Sequence, residues 1–194
     1  MTTTTNTDAP AYIEDGVLTD GEGWVAIQSH VLSADATGVT FQSSTGANDW
    51  SQYMDLTIIA YGQSDTETSI IGRFNNDTGT NYIYQEFTGN GSASSAYVPS
   101  PTNYNFWGYC PKVSDGANDF AAFKVDLFDI NSGKYKNSTS QTASDKGGSG
   151  FISLLTSVWR SQAPITEIDV LAWTGDWKDG SRFDLFGLLP RMGA

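Results

Sequence analysis

The sequence predicts an all-β protein: an antiparallel two-sheet β-sandwich, jelly-roll-like, spanning residues 24–194 behind an amino-terminal arm of residues 1–23. Three observations lead there. Apolar and polar side chains alternate over about ten short stretches, with the period of a half-buried strand. Clusters of Gly, Asn, Asp and Ser separate these stretches, and such residues accept the φ > 0 positions of tight turns. Aromatic residues make up 13% of the chain, which suits the space between two sheets.

Taken in order, Met1 to Gly23 is rich in Thr, Asp and Gly and has too little apolar surface to offset the entropy of ordering it. Its apolar anchors are Tyr12, Ile13, Val17 and Leu18, so the arm is a candidate docking element that orders on a partner. In Trp24–Leu32, Val25, Ile27, Ser29 and Val31 share one face. Val39 and Phe41 do the same in Ala36–Gln42. Tyr53–Tyr61 is the cleanest case, with Met54, Leu56, Ile58 and Ala60 against Asp55, Thr57 and Ile59. Ser69–Phe74, Asn81–Thr88, Tyr104–Tyr109, Phe120–Ile130, Phe151–Trp159, Ile165–Trp173 and Arg182–Leu188 read similarly. Ile152–Trp159 admits a helical turn, but its Ile, Thr and Val favour strand. The expected core includes Met54, Leu56, Ile58, Phe123, Val125, Leu127, Val170, Phe183 and Leu185. Gly91–Pro101 and Asn137–Gly150 are the two longest expected loops, the second of low complexity and mobile.

Composition narrows the function. Ten Lys+Arg against 22 Asp+Glu leave a net charge of −12, which argues against nucleic-acid backbones and anionic membranes as partners. Cys110 is the sole cysteine and His30 the sole histidine, so neither an internal disulfide nor a Cys/His metal cluster is expected, nor any cofactor. Met1 is followed by a Thr run without a basic or apolar leader region, so folding in a cytoplasm is expected. Catalytic patterns are wanting. The five Glu are scattered, whereas a sandwich glycosidase needs two carboxylates at fixed separation. Glu86, following Tyr82 and Tyr84 on one strand face, is the best single candidate but lacks a visible partner, and it reads as part of a solvated strand face. Cys110, set among Phe106, Trp107 and Tyr109, reads as a buried apolar thiol. No Gly-x-Ser-x-Gly or phosphate cradle occurs. A non-enzyme is expected.

Two further patterns carry alternatives. Asn75–Gly79 with Glu86 mimics a calcium loop, but Thr80 stands where the sharp-turn glycine belongs. That segment and Asp176–Gly180 read as structural turns. Tyr104, Trp107, Trp173 and Trp177 are candidates for an aromatic surface that stacks on sugar rings, or else for core and subunit interface. Six Trp and ten Phe exceed what one sandwich interior readily hides, so a homo-oligomer, three copies by expectation, would cover the remainder.

Several stretches together resemble a known module. They are Ile70–Ile71–Gly72–Arg73–Phe74–Asn75–Asn76–Asp77–Thr78–Gly79–Thr80–Asn81–Tyr82, Phe128–Asp129–Ile130, Val158–Trp159–Arg160–Ser161, Pro164–Ile165–Thr166–Glu167–Ile168 and Gly180–Ser181–Arg182–Phe183–Asp184–Leu185–Phe186–Gly187–Leu188. Spread from Trp24 to Leu188, they resemble a β-sandwich module of tailed-phage virion proteins, of marine and freshwater phage type. The resemblance implies a structural role in the virion, with other capsid or tail proteins as partners and no catalytic residues. The short arm, in place of a long fibre stalk, favours a small surface protein that decorates the capsid. The alternative is a tail-fibre or tail-tip module that binds a receptor or carbohydrate.

Overall fold

The computed structural model describes residues 1–5, 13–14, 17–18, 23–145 and 150–189, with backbone alone at 4–5, 13–14 and 17–18. The first strands are β1 (Thr2–Thr5), β2 (Ile13–Glu14), β3 (Val17–Leu18), β4 (Trp24–Val31) and β5 (Gly38–Gln42). Next come β6 (Asp55–Gly62), β7 (Thr68–Phe74), β8 (Tyr82–Gly89), β9 (Ser94–Tyr97) and β10 (Asn105–Cys110). The set is completed by β11 (Ala121–Phe128), β12 (Lys136–Asp145), β13 (Gly150–Trp159), β14 (Glu167–Ala172) and β15 (Arg182–Leu188). A nine-stranded sheet runs β1-β4-β15-β6-β11-β12-β13-β8-β9, and a four-stranded sheet runs β10-β7-β14-β5. All their pairings are antiparallel. The protein is a β-sandwich.

Every stretch that alternates in the sequence forms a strand, and further strands lie where none was expected. The supposed mobile loop Asn137–Gly150 is mostly β12, a ten-residue strand inside the large sheet between β11 and β13. It does alternate, but its inward residues are Lys136, Ser138, Ser140, Thr142 and Ser144, so hydropathy alone gave no period. The other expected loop, Gly91–Pro101, contains β9. Within the expected arm, Thr2–Thr5 pairs with the outer edge of β4. A run of β-branched residues fits a pleated ladder, and β4 offers the unpaired edge.

The main core lies between the sheets. Leu56, Ile58, Phe123, Val125, Leu127, Val170, Phe183 and Leu185 are all buried there, as expected from their spacing. Met54 is the correction: it is 38% exposed. It precedes β6, where the chain leaves the turn Trp50–Gln52, so its side chain falls beyond the cover of the second sheet. A second correction concerns β4. Its ladder with β15 slips between Leu185 and Phe186, passing Ile27, and this bulge inverts the alternation. Val25 and Ile27 stay inside, but the next inward residue is His30, while Val31 is exposed. The His30 ring packs edge-on against Phe41 at 4.8 Å, and its Nδ1 lies 3.0 Å from Thr3 Oγ1 on β1.

One corner joins the Asn75 turn to residues near Trp159 and Pro164. Asn75 and Asn76 have φ of 52° and 55°, a left-handed turn that Asn tolerates. The Asn75 side chain donates to Pro164 O at 2.7 Å and accepts from the backbone N–H groups of Thr166 and Glu167. Asp77 accepts from Gly79 N (2.8 Å), Asn81 Nδ2 (2.9 Å) and Trp159 Nε1 (2.7 Å). Burial pushes the Asp77 carboxyl up, but these donors outweigh it and hold it below the ordinary value. Stretches about 90 residues apart in sequence are thus stapled by two short polar side chains. The Asn75–Gly79 segment is a structural turn.

Candidate functional site

The site is built by an irregularity in β10. Asn105 and Phe106 stand opposite Gly72 and Ile71, then Gly108 and Tyr109 stand opposite Ile70 and Ser69, leaving Trp107 as an extra residue. Gly108 takes φ +135°, and a Cβ there would lie 2.2 Å from Thr142 Oγ1. This β-bulge re-aims the side chains around it. Trp107 turns into the main core, lying over Gly72, where a Cβ would be 2.1 Å from its ring. Phe106 and Tyr109 emerge together on the other side, their rings edge-on at 5.1 Å.

Beneath β10, the large sheet is lined with hydroxyls. Ser138, Ser140, Thr142, Ser144, Ser153, Ser157 and Thr88 are all buried. Thr142 Oγ1 donates to Trp107 O at 2.6 Å, and Ser157 Oγ to Phe106 O at 3.5 Å. Small polar side chains allow a backbone to approach closely and satisfy the carbonyls that a bulge frees from the ladder.

The predicted aromatic surface divides in two. Trp107 and Trp177 are fully buried, which corrects the expectation for both. Trp177 sits against Phe183 at 5.1 Å and Phe123 at 6.3 Å, and its Nε1 donates to Val170 O at 3.3 Å. It lies over Gly62, whose missing side chain makes the room. Trp173 is exposed and Tyr104 is half-buried beside it, and the two rings pair at 4.6 Å. Of the docking-arm residues, Tyr12 lies outside the described residues. Ile13, Val17 and Leu18 belong to a two-rung hairpin, Ile13 opposite Leu18 and Glu14 opposite Val17, and their side chains also lie outside the described residues.

Where β8 and β9 overhang the edge of the smaller sheet, they form a trough of about 350 Å³ with β10 and the start of β13. Pairing sets Glu86 beside Tyr97 and Thr88 beside Ser95. Tyr109 and Phe151, with rings 4.8 Å apart, make the facing wall. The Glu86 carboxylate accepts from the Thr88 hydroxyl and from the Tyr109 hydroxyl. Burial first, and then the Glu86 charge, pushes the Tyr109 phenol up to about 12. Burial also raises Tyr84 and Tyr104, whose side chains are hydrogen-bonded to each other. A row of rings therefore runs Trp173–Tyr104–Tyr84–Phe106–Tyr109–Phe151. Chemically, the trough offers one anionic acceptor, several hydroxyls and flat apolar faces.

Sequence reasoning singled out Glu86 and Tyr104 but passed over Tyr84, Tyr97 and Tyr109 as site residues. The signal for Tyr84 was on β8, as its alternation with Tyr82 and Glu86. That for Tyr109 was hidden by the bulge, because strict alternation puts it on the face of Trp107. Among the described residues, no group of three or more His, Cys, Asp or Glu could hold a metal ion, and no helix is long and apolar enough to cross a membrane. No protein-family model matches this chain, and no curated protein matches its sequence.

Proposed function

We propose that the chain is a non-catalytic structural protein of a phage particle, docked on the capsid surface and associating there with its own copies. The observation that carries this reading is an apolar band on the outer face of the nine-stranded sheet. Ile59 and Tyr61 of β6, Ile152 and Leu154 of β13 and Phe87 of β8 are 42–71% exposed. Ala122 and Ala143 join them in register: Tyr61 opposite Ala122, Ala122 opposite Ala143, Ala143 opposite Ile152. On a chain of net charge −12, one contiguous apolar band is the part suited to lasting contact, while the rest keeps the protein soluble. The resemblance of the Asn75 turn and of the closing strand to a virion module supports the same reading.

A second reading, a host-contacting module at a tail tip, is favoured by the tyrosine trough. The test is to count copies in purified particles of the parent phage and to assay rebinding of Ile152→Asp/Leu154→Asp protein to stripped particles. The expected result is a count commensurate with capsid symmetry and lost rebinding. A handful of copies favours the second reading. Absence from the particle, or undiminished rebinding of the variant, overturns the first.

A further inference from the structure

We propose that the trough between β8–β9 and β10 binds an uncharged sugar, a pyranose whose hydroxyls meet Glu86, Thr88 and Ser95 and whose apolar face lies on Tyr97. The proposal goes beyond the capsid reading and does not depend on it.

Four observations converge. Glu86 is the one carboxylate among the described residues lining the trough, and a carboxylate accepts strongly from paired sugar hydroxyls through charge-assisted bonds. Thr88 and Ser95 stand opposite each other on β8 and β9, so hydroxyls that both donate and accept flank the carboxylate. Tyr97 is 56% exposed beside Glu86, so its ring presents a face to the C–H groups of a sugar, and Tyr109 and Phe151 close the other side. The volume of about 350 Å³ lies at the lower end of the ~300–1,000 Å³ of small-ligand sites.

Charge selects among ligands. A chain of net charge −12 with a carboxylate in the trough repels an acidic sugar. A quaternary ammonium would need ring faces on several sides, whereas Tyr109 turns its face toward Phe151 and its flank toward Phe106. With one lining carboxylate instead of a pair, the trough holds a glycan without cleaving it. The row of rings continues past Tyr84 and Tyr104 to Trp173, which gives an extended glycan a second place to rest.

The experiment follows backbone amides of the purified full chain by NMR during titration with the methyl glycosides of glucose, galactose, mannose and N-acetylglucosamine, each to about 50 mM, a range that covers weak millimolar binding. A parallel titration uses tetramethylammonium chloride. Saturable shifts at Glu86, Ser95 and Tyr97 with at least one glycoside are expected. Glu86→Gln and Tyr97→Ala should each weaken that binding about tenfold or more, the equivalent of one hydrogen bond or contact of ~1.4 kcal/mol, with thermal midpoints unchanged. The proposal is overturned by any of three results: no saturable shift at these amides, a response to tetramethylammonium alone, or glycoside binding that both variants retain. None of those results bears on the copy number in the particle, so the capsid reading stands or falls separately.

Discussion

The two halves of the large sheet are packed by different chemistry. Under β4, β15, β6 and β11 the inward residues include Ile27, Leu56, Ile58, Val125, Leu127, Phe183 and Leu185, a largely apolar core. Under β12, β13 and β8 they include Ser138, Ser140, Thr142, Ser153, Ser157 and Thr88. The first half adheres by burying hydrocarbon. The second lets a backbone come close, and two of its hydroxyls bond directly to the carbonyls of β10. The contrast teaches why the site lies where it does. A strand seated on hydroxyls tolerates a bulge, and the bulge sends Phe106 and Tyr109 toward the trough.

The sharpest way to break this comparison is to carve into both halves. Leu56→Ala, at a fully buried position, should destabilise the protein by ~2–5 kcal/mol through lost burial and the cavity left behind. A smaller value in urea denaturation would mean that the apolar half is loosely packed.

Next in size is the bulge. Gly108→Ala places a Cβ on a backbone with φ +135° and against Thr142, so it should cost about 1–3 kcal/mol from backbone strain alone. It should also disturb the amide and ring signals of Tyr109, which a simple packing defect elsewhere in the core would leave in place. An unperturbed Tyr109 spectrum would show that the bulge does not position the trough wall.

His30 tests the far edge of the apolar half. Burial lowers its pKa from the ordinary 6.5, and the backbone hydrogen bond with Thr40 opposes this only in part. Above pH 6.5 the ring is neutral in both folded and unfolded chains. As pH falls below 6.5 the unfolded chain takes up the proton first, so stability should decline until the folded site also protonates. Denaturation midpoints between pH 7.5 and 5.5, a range of about two units around the His value, should show that decline in the native chain and its loss in His30→Gln. An equal slope in the variant would assign the effect to other groups.

The smallest effect sharpens the comparison from the hydroxyl side. Ser140 Oγ is buried without a hydrogen-bond partner among the described residues, whereas Thr142 Oγ1 is bonded. Ser140→Ala should therefore change stability by no more than about 0.5 kcal/mol, or raise it, because removing an unpaired polar atom recovers its desolvation. A loss as large as that of Leu56→Ala would mean that Ser140 bonds to something essential, such as a buried water.

Reading hydropathy worked where the pleat ran unbroken and one face was apolar. It placed β6, β11 and β15 and their buried residues, apart from Met54 beyond the end of β6. It also put Glu86 on one face of β8 with Tyr82 and Tyr84, which is where the structure has it. For Trp107 and Trp177 the sequence left surface and core both open, for a reason that no local pattern resolves. Each ring fills the space over a glycine on another strand, Gly72 and Gly62, that is distant in sequence.

What the sequence determined alone was set by neighbours along the chain: the strands whose apolar residues alternate with period 2, turns from Asn, Asp and Gly, and a strongly acidic net charge. What only the tertiary structure decided was everything set by neighbours across space. β12 is a strand because β11 and β13 flank it and β10 lies over its hydroxyls; by itself Lys136–Asp145 has too little apolar surface to predict one. The bulges at Ile27 and Trp107 invert the alternation because a ladder slips where its partner strand requires it. That slip is a property of two strands together, and it is what brings Tyr109 to Glu86.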